Sequence, residues 1–385
     1  MNDLDLNTLL GAEDDEGRSR RRTRGSGKRG GRRRRRRRNR GGFLAPLLAF
    51  VVLAGIIGGG GYYGYLWVSD ALVPDDFTGQ GTGEVVVEIK QGQSASEVAT
   101  ELERLGVVAS ARAFVNAIGN ANKSASLQPG EYKLRKNMSA ASAVAMLSPQ
   151  NQLLVQARIP EGKRLSETLT ELAKQTGKPA KEFQAAAKDT DALDLPSYAG
   201  GKLEGYAFPA TYQFQPKTTP KQMLATMVQR FKQTAEQYDI EDGAKALGRS
   251  PREIIIIASI IQAEAGRHED MGKISRVIYN RLNREPEMAL KMDSTIMYAL
   301  KKFGTAASDA ETKIKHPYNT YQHLGLPPGP ISNPGDHAIE AALNPEKGSW
   351  LFFVALDPKK SNVTSFATTE TEFAALMAKY RANGY

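Results

Sequence analysis

Ser250-Pro-Arg-Glu-Ile-Ile-Ile-Ile-Ala-Ser-Ile-Ile-Gln-Ala-Glu264 is the stretch on which the reading of this sequence turns. Its start is marked in three ways as a helix: a Ser cap, a Pro at the first helical position, and a Glu three residues after the Ser to complete a capping box. The next two turns are apolar all round, so the spacing predicts a central buried helix rather than one lying on a surface. Glu264 is the anomaly at its end. Its helical neighbours are Ile260 and Ile261 on one side and Arg267 and His268 on the other. Apolar neighbours would raise the carboxyl pKa, and a close Arg267 would lower it. Two readings stay open at this point: an ion pair with Arg267, or a carboxyl kept partly protonated for acid–base chemistry.

N-terminal to this helix, charge is distributed very unevenly. The chain has 385 residues, more than one domain usually needs, and a formal net charge of +10. Residues 1–42 hold 15 Lys/Arg and 6 Asp/Glu, so the other 343 residues are close to neutral. The run Arg32 to Arg38 repels itself and buries no apolar surface, which predicts a disordered basic tail over 1–42. Residues 41–69 then lack any charged side chain. The apolar stretch 43–68 is long enough for a transmembrane helix, and Tyr62, Tyr63, Tyr65 and Trp67 sit at its far end, where such rings favour the headgroup zone. The positive-inside rule keeps the tail cytoplasmic, making this a single-pass cell-membrane protein with its folded part outside the cytoplasm. A cleaved signal peptide is the rival reading, but no clear A-x-A site follows the apolar run. With the tail assigned to orientation, no nucleic-acid partner is expected.

The chain has no cysteine, and its four histidines do not fall at a metal-ligand spacing. Neither a metal nor a cofactor is expected.

The remaining elements predict an α+β protein. Residues 69–83 read as a linker with Pro and Gly. Over 84–150 a strand (EVVVEI), a helix capped by Ser94 and Glu97, a helix after Ser110, a strand (EYKLR) and a helix after Ser139 make a small mixed module. Residues 151–385 form the larger mixed unit. It opens with a strand near LLVQARIPEG and a helix over about 166–175. The aromatic stretch Glu204 to Phe214, broken by Pro209, suits extended chain that could line a groove. Asn280 and Arg281 fall near the end of an amphipathic helix, where they could hold an amide or a carboxylate, or simply cap it. Asp293 precedes another helix and has helix capping as its first role. Tyr318, Asn319 and Tyr321 combine flat faces with polar tips, as a sugar groove needs, although loop tyrosines often only pack. The Leu326-Pro-Pro-Gly-Pro330 run makes a stiff loop.

Five ordered motifs carry a resemblance: ASIIQAE (258–264), VIYNRL (277–282), MDST (292–295) with Tyr298, YNTY (318–321) and GLPPGPISNPG (325–335). Over about 84–375 the sequence resembles the YceG-like family of endolytic murein transglycosylases, and 84–150 resembles the LysM-like module that precedes their catalytic domain. A plain α+β spacer remains the alternative for that module. The resemblance implies that Glu264 is catalytic. It further implies cleavage of the MurNAc–GlcNAc bond of peptidoglycan glycan strands, with the MurNAc 6-hydroxyl closing onto C1 to leave a 1,6-anhydro end. One carboxyl can serve such a reaction as acid and then base, whereas hydrolysis usually needs two. Arg267, Asn280, Arg281, Asp293, Tyr318, Asn319 and Tyr321 are the candidate substrate-binding residues, and peptidoglycan synthases or division proteins are candidate partners. The sequence departs from the family at Ala210, where Asp is usual, at Gln262 for a Glu, and at Thr364 and Phe373, where histidines are usual. Two alternatives are a hydrolytic muramidase using Asp293 or Glu204 as a second carboxylate, and a non-catalytic glycan-binding scaffold.

Overall fold

The computed structural model describes residues 44–121, 127–304, 306–357 and 362–383. The tail read as disordered lies outside the described residues. The described residues fall into two units, divided after Val73. The first contains α1 (Leu44–Leu72), which is unbroken through Gly58 to Gly61. Its Leu47–Val68 portion is long and apolar enough to cross a membrane.

The second unit is mixed α+β, and its strands pair in three small antiparallel sheets among the described residues. Its first part runs β1 (Gln80–Ile89), α2 (Ala95–Arg104), α3 (Ala111–Asn120), β2 (Gly130–Met138) and α4 (Ala140–Met146). Both predicted caps are in place: Ser94 and Glu97 close a reciprocal capping box on α2, and Ser110 accepts the Ala113 amide of α3. Val87, Leu102, Phe114, Tyr132 and Leu134 make a core of their own here. The expected linker is shorter than 69–83. Its end joins β1, the Asp75 carbonyl accepts the Ser110 hydroxyl (2.7 Å), and the Asp76 carboxylate accepts the Ala140 amide (2.8 Å). Gly81 adopts a left-handed φ of 72° and lies so close to Lys136 and Met138 that no side chain would fit.

The next part comprises β3 (Val155–Arg158), α5 (Leu165–Thr176), α6 (Ala180–Lys188), β4 (Thr211–Phe214) and α7 (Pro220–Gln237) around a second core with Phe183, Met227 and Val228. β3 pairs with β4, so the chain over 204–214 returns beside the strand that opens this unit. Lys217 bridges to Glu88 (2.7 Å) and to the buried Glu131 (3.1 Å), linking this part to the first.

After α8 (Ile240–Ala246) comes α9 (Pro251–Glu264), the helix predicted at the centre. The Ser250 hydroxyl accepts the Glu253 amide while Glu253 accepts the Ser250 amide, the capping box anticipated from sequence. All six isoleucines of α9 are at most 3% exposed. A buried side chain of this size stabilises by about 1.5–3 kcal/mol. Around α9 pack α8, α10 (His268–Leu282), α11 (Asp293–Ala299) and α12 (Asp336–Leu343). The chain ends with the hairpin of β5 (Phe352–Ala355) and β6 (Thr364–Ala367), covered by α13 (Glu370–Ala382).

Asn333 ties the loops over the end of α9. Its Oδ1 accepts the amides of Gly205 (3.0 Å) and Ala207 (3.1 Å), and its Nδ2 donates to the Lys163 carbonyl (3.0 Å). Three segments far apart in sequence are thereby held by one buried side chain. Gln262 adds a fourth tie by accepting the Gly335 amide (2.9 Å), a use for the position where the family pattern has Glu.

Candidate active site

Glu264 is the last residue of α9, and this sets its electrostatics. The unpaired carbonyls of a helix C-terminus carry partial negative charge, which opposes a carboxylate there. The residue as a whole is partly exposed, while its carboxyl is packed within the protein. Burial is the largest influence and pushes its pKa above the ordinary carboxylate range. The nearby Asp293 pushes the same way. Ser294 and the Arg281 guanidinium oppose the rise. The Ser294 amide donates to Glu264 Oε1 (3.3 Å), whereas the buried Ser294 hydroxyl, though close enough to favour the charged form, meets no hydrogen-bond geometry.

Arg267 does not neutralise this carboxyl. It opens α10 and bonds Glu269 at the surface (Nε to Oε2, 3.1 Å), because the chain turns out of helical geometry at Ala265. The ion pair considered for Glu264 is therefore absent, and Arg267 stands exposed at the surface.

Asp293 is the first residue of α11, and Met292 rather than Asp293 occupies the cap position. The Asp293 carboxylate instead accepts the Tyr321 hydroxyl (2.6 Å) and the Ala307 amide (3.1 Å). Tyr321 is thereby drawn to the Glu264 side of α11, and burial first, then Asp293, raises its hydroxyl pKa.

Arg281 is beneath this cluster at 7% exposure. Its guanidinium donates to the carbonyls of Leu351 (2.7 Å) and Leu290 and packs on Phe352. Burial lowers its pKa to about 10, with Tyr321 and Glu264 acting in the opposite direction. Its reach to Glu264 is electrostatic. Asn280 donates to the Gly348 and Trp350 carbonyls. Asn319 is fully buried, donates to the Thr312 and Ile314 carbonyls, and accepts the Tyr321 amide. Asn280, Arg281 and Asn319 thus hold loops around the site, where the sequence had suggested groups reaching a ligand. Tyr318 is half-buried, with its ring 4.9 Å from that of Tyr298.

Two further groups come from elsewhere in the chain. Glu204 accepts the Leu165 amide (2.8 Å) and the Tyr298 hydroxyl (3.1 Å), and burial raises it to about 7 against the opposition of those two bonds and Arg164. Arg164 is stacked over Tyr298 and Phe303. Glu204 and Tyr298 were visible in sequence motifs. Nothing in the sequence around Arg164 signals its position.

The positions that depart from the family pattern have ordinary packing uses. Ala210 lies against the cores and accepts the Ile159 amide, the Thr364 amide donates to the buried Asp270 (3.0 Å), and Phe373 stacks on Phe352. Among the described residues no three His, Asp or Glu side chains converge as metal ligands would. A hollow of ≈ 470 Å³ lined by Tyr198, Lys232, Asp239 and Glu241 lies elsewhere. Glu264 and Glu204, both raised by burial and both bonded to residues of α11, make this region the better candidate site.

The match to the YceG-like family spans residues 87–379. A protein of Streptococcus pneumoniae strain D39 named endolytic murein transglycosylase is 33% identical over 329 residues, covering 76% of this chain and 58% of the relative. A Bacillus subtilis protein of the same name is 31% identical, covering 77% of this chain and 84% of that one. This chain therefore spans little more than half the length of its pneumococcal relative. The crystal structure of a YceG-like protein from Listeria monocytogenes superposes with a TM-score of 0.52 at 30% identity, over 77% of this chain and all of that one. With a family match over three quarters of its length and relatives more than 30% identical, the chain belongs to the YceG-like family.

Proposed function

We propose that this protein is a membrane-anchored lytic transglycosylase of peptidoglycan in which Glu264 acts first as acid and then as base. The observation that carries the proposal is the Glu264 carboxyl at the end of the buried helix: raised in pKa by burial and without a basic partner in hydrogen-bond contact. A raised pKa favours the protonated carboxyl, the form that can donate to the oxygen between MurNAc and GlcNAc as the bond from MurNAc C1 breaks. The leaving sugar departs as a neutral alcohol. The Glu264 carboxylate then takes the proton of the MurNAc 6-hydroxyl, whose oxygen bonds C1. One proton is given and one recovered, no water is consumed, and a 1,6-anhydro end results.

Asp293 has both carboxylate oxygens engaged, by Tyr321 and Ala307, which suits a positioning role better than that of an attacking group. The exposed Arg267 and the partly exposed Tyr318 and Tyr321 would meet the strand directly. Arg281, Asn280 and Asn319 would support them.

In this reading residues 84–150 act as a LysM-like glycan-binding module and 151–385 as the catalytic domain. The N-terminus is cytoplasmic and α1 is a single-pass anchor. Nascent glycan strands are the substrate, and peptidoglycan synthases or division proteins are the partners that would bring them. The deciding experiment is mass spectrometry of glycan products from the full chain and from Glu264→Gln. Anhydro ends from the parent and none from the variant are the expected outcome. Product ends that carry the elements of water would overturn the proposal in favour of a muramidase.

A further inference from the structure

One turn along α11 from the contact with Glu264, the same helix face carries a second group of side chains. Ser294 meets Glu264, and Tyr298 follows at i+4, about 6 Å further along the axis. Around Tyr298 flat groups stand in a row. Tyr318 is 4.9 Å away between ring centroids, tilted by 42°, and the Arg164 guanidinium is 5.4 Å from the Tyr298 ring and 4.9 Å from Phe303. Arg164 is itself fixed by donating to the Lys302 carbonyl (2.7 Å). Phe303 is 69% exposed, so its ring is accessible to a ligand. The row combines flat apolar faces with polar tips and lies on the helix that also carries the Glu264 contact.

We propose that Arg164, Tyr298, Phe303 and Tyr318 form a stacking subsite for an N-acetylated hexosamine ring beside the cleaved bond, and that Glu204 is the positioning residue that holds Tyr298 in it. The proposal rests on the glycan-cutting role given above. A pyranose presents a face of C–H groups that packs on aromatic rings, while its hydroxyl and acetamido edges seek polar tips such as those of the tyrosines.

Glu204 anchors the row from behind. Between the Leu165 amide and the Tyr298 hydroxyl it has one oxygen for each. The charged and titratable groups that bear on it are Arg164, Glu167 and the two tyrosines. Because burial brings this carboxyl to about 7, both protonation states occur near neutrality, and either can bond the Tyr298 hydroxyl by accepting or by donating.

The test uses the full chain in detergent with purified uncrosslinked glycan strands, measuring binding and turnover separately. Phe303→Ala and Glu204→Ala are expected to raise Kd and KM about tenfold, with kcat within about twofold. Glu204→Gln is expected to stay within about twofold of the parent in every constant, since its amide accepts from Leu165 and donates to Tyr298. Unchanged Kd and KM in Phe303→Ala, which removes an exposed ring and no core contact, would overturn the subsite. A Glu204→Gln variant as weak as Glu204→Ala, or a Glu204→Ala variant that loses kcat instead of affinity, would overturn the positioning role. Strands that bind the parent, lose affinity in Phe303→Ala, and are never cut would uphold the subsite and refute the proposed reaction.

Discussion

Replacing Glu204 by Gln gives a stability change whose size and pH dependence follow from its surroundings. Burial moves this carboxyl from an ordinary 4.5 to about 7, although the Leu165 amide, the Tyr298 hydroxyl and Arg164 favour the charged form. At 1.36 kcal/mol for each tenfold change, this corresponds to about 3 kcal/mol of preference for the protonated state in the fold, an upper bound because solvent reaches the site in part. The sign follows from proton binding. Below about pH 4.5 the folded and unfolded chains both hold the proton, and the fold keeps its full stability. Between 4.5 and 7 the unfolded chain releases the proton first, so stability falls as pH rises, and above 7 the loss is complete. Glutamine has no charge to bury and keeps both hydrogen bonds. Urea unfolding followed by circular dichroism should therefore find Glu204→Gln and the parent alike at pH 4 and the variant more stable by up to about 3 kcal/mol at pH 8. A difference that is the same at both pH values, or a variant less stable at pH 8, would refute the reasoning.

Further outcomes follow from other contacts. Glu264→Gln should lower kcat by at least about 100-fold and up to about 10,000-fold, the range of a lost acid–base group, with glycan binding retained; single-turnover product analysis checks this. The raised pKa of Glu264 gives it the same sign as Glu204, so Glu264→Gln should also gain stability relative to the parent as pH rises above about 4.5, measured by the same unfolding series. Asn333→Ala strands buried backbone amides at Gly205 and Ala207 and should destabilise by about 2–4 kcal/mol, read from the urea midpoint. Ser250→Ala removes the cap of α9 and should cost about 1 kcal/mol without altering the kcat of the remaining folded enzyme.

The features legible before any coordinates were local ones. A Ser, a Pro and a Glu within four residues start α9, and the unbroken apolar run places it at the centre, because capping and burial depend on neighbours within one or two turns. The capped helices of residues 84–150 were readable for the same reason. The direction of long side chains was not. Arg267 was placed against Glu264 by helical spacing, but the helix ends at Glu264 and that spacing ceases to hold. Asn280, Arg281 and Asn319 have the chemistry of ligand-binding groups, yet they serve backbone carbonyls of Gly348, Leu351 and Thr312.

Sequence alone was enough to mark the apolar span, the central helix, Glu264 as an unusual carboxyl at its end, and, through five ordered motifs, the family. Only the tertiary structure decided what surrounds that carboxyl. Ser294 and Asp293 reach it from a helix thirty residues on, and Glu204 is tied to Tyr298 across 94 residues of chain. A pKa depends on which dipoles and charges lie within a few ångströms, and that proximity is created by folding rather than by spacing along the chain.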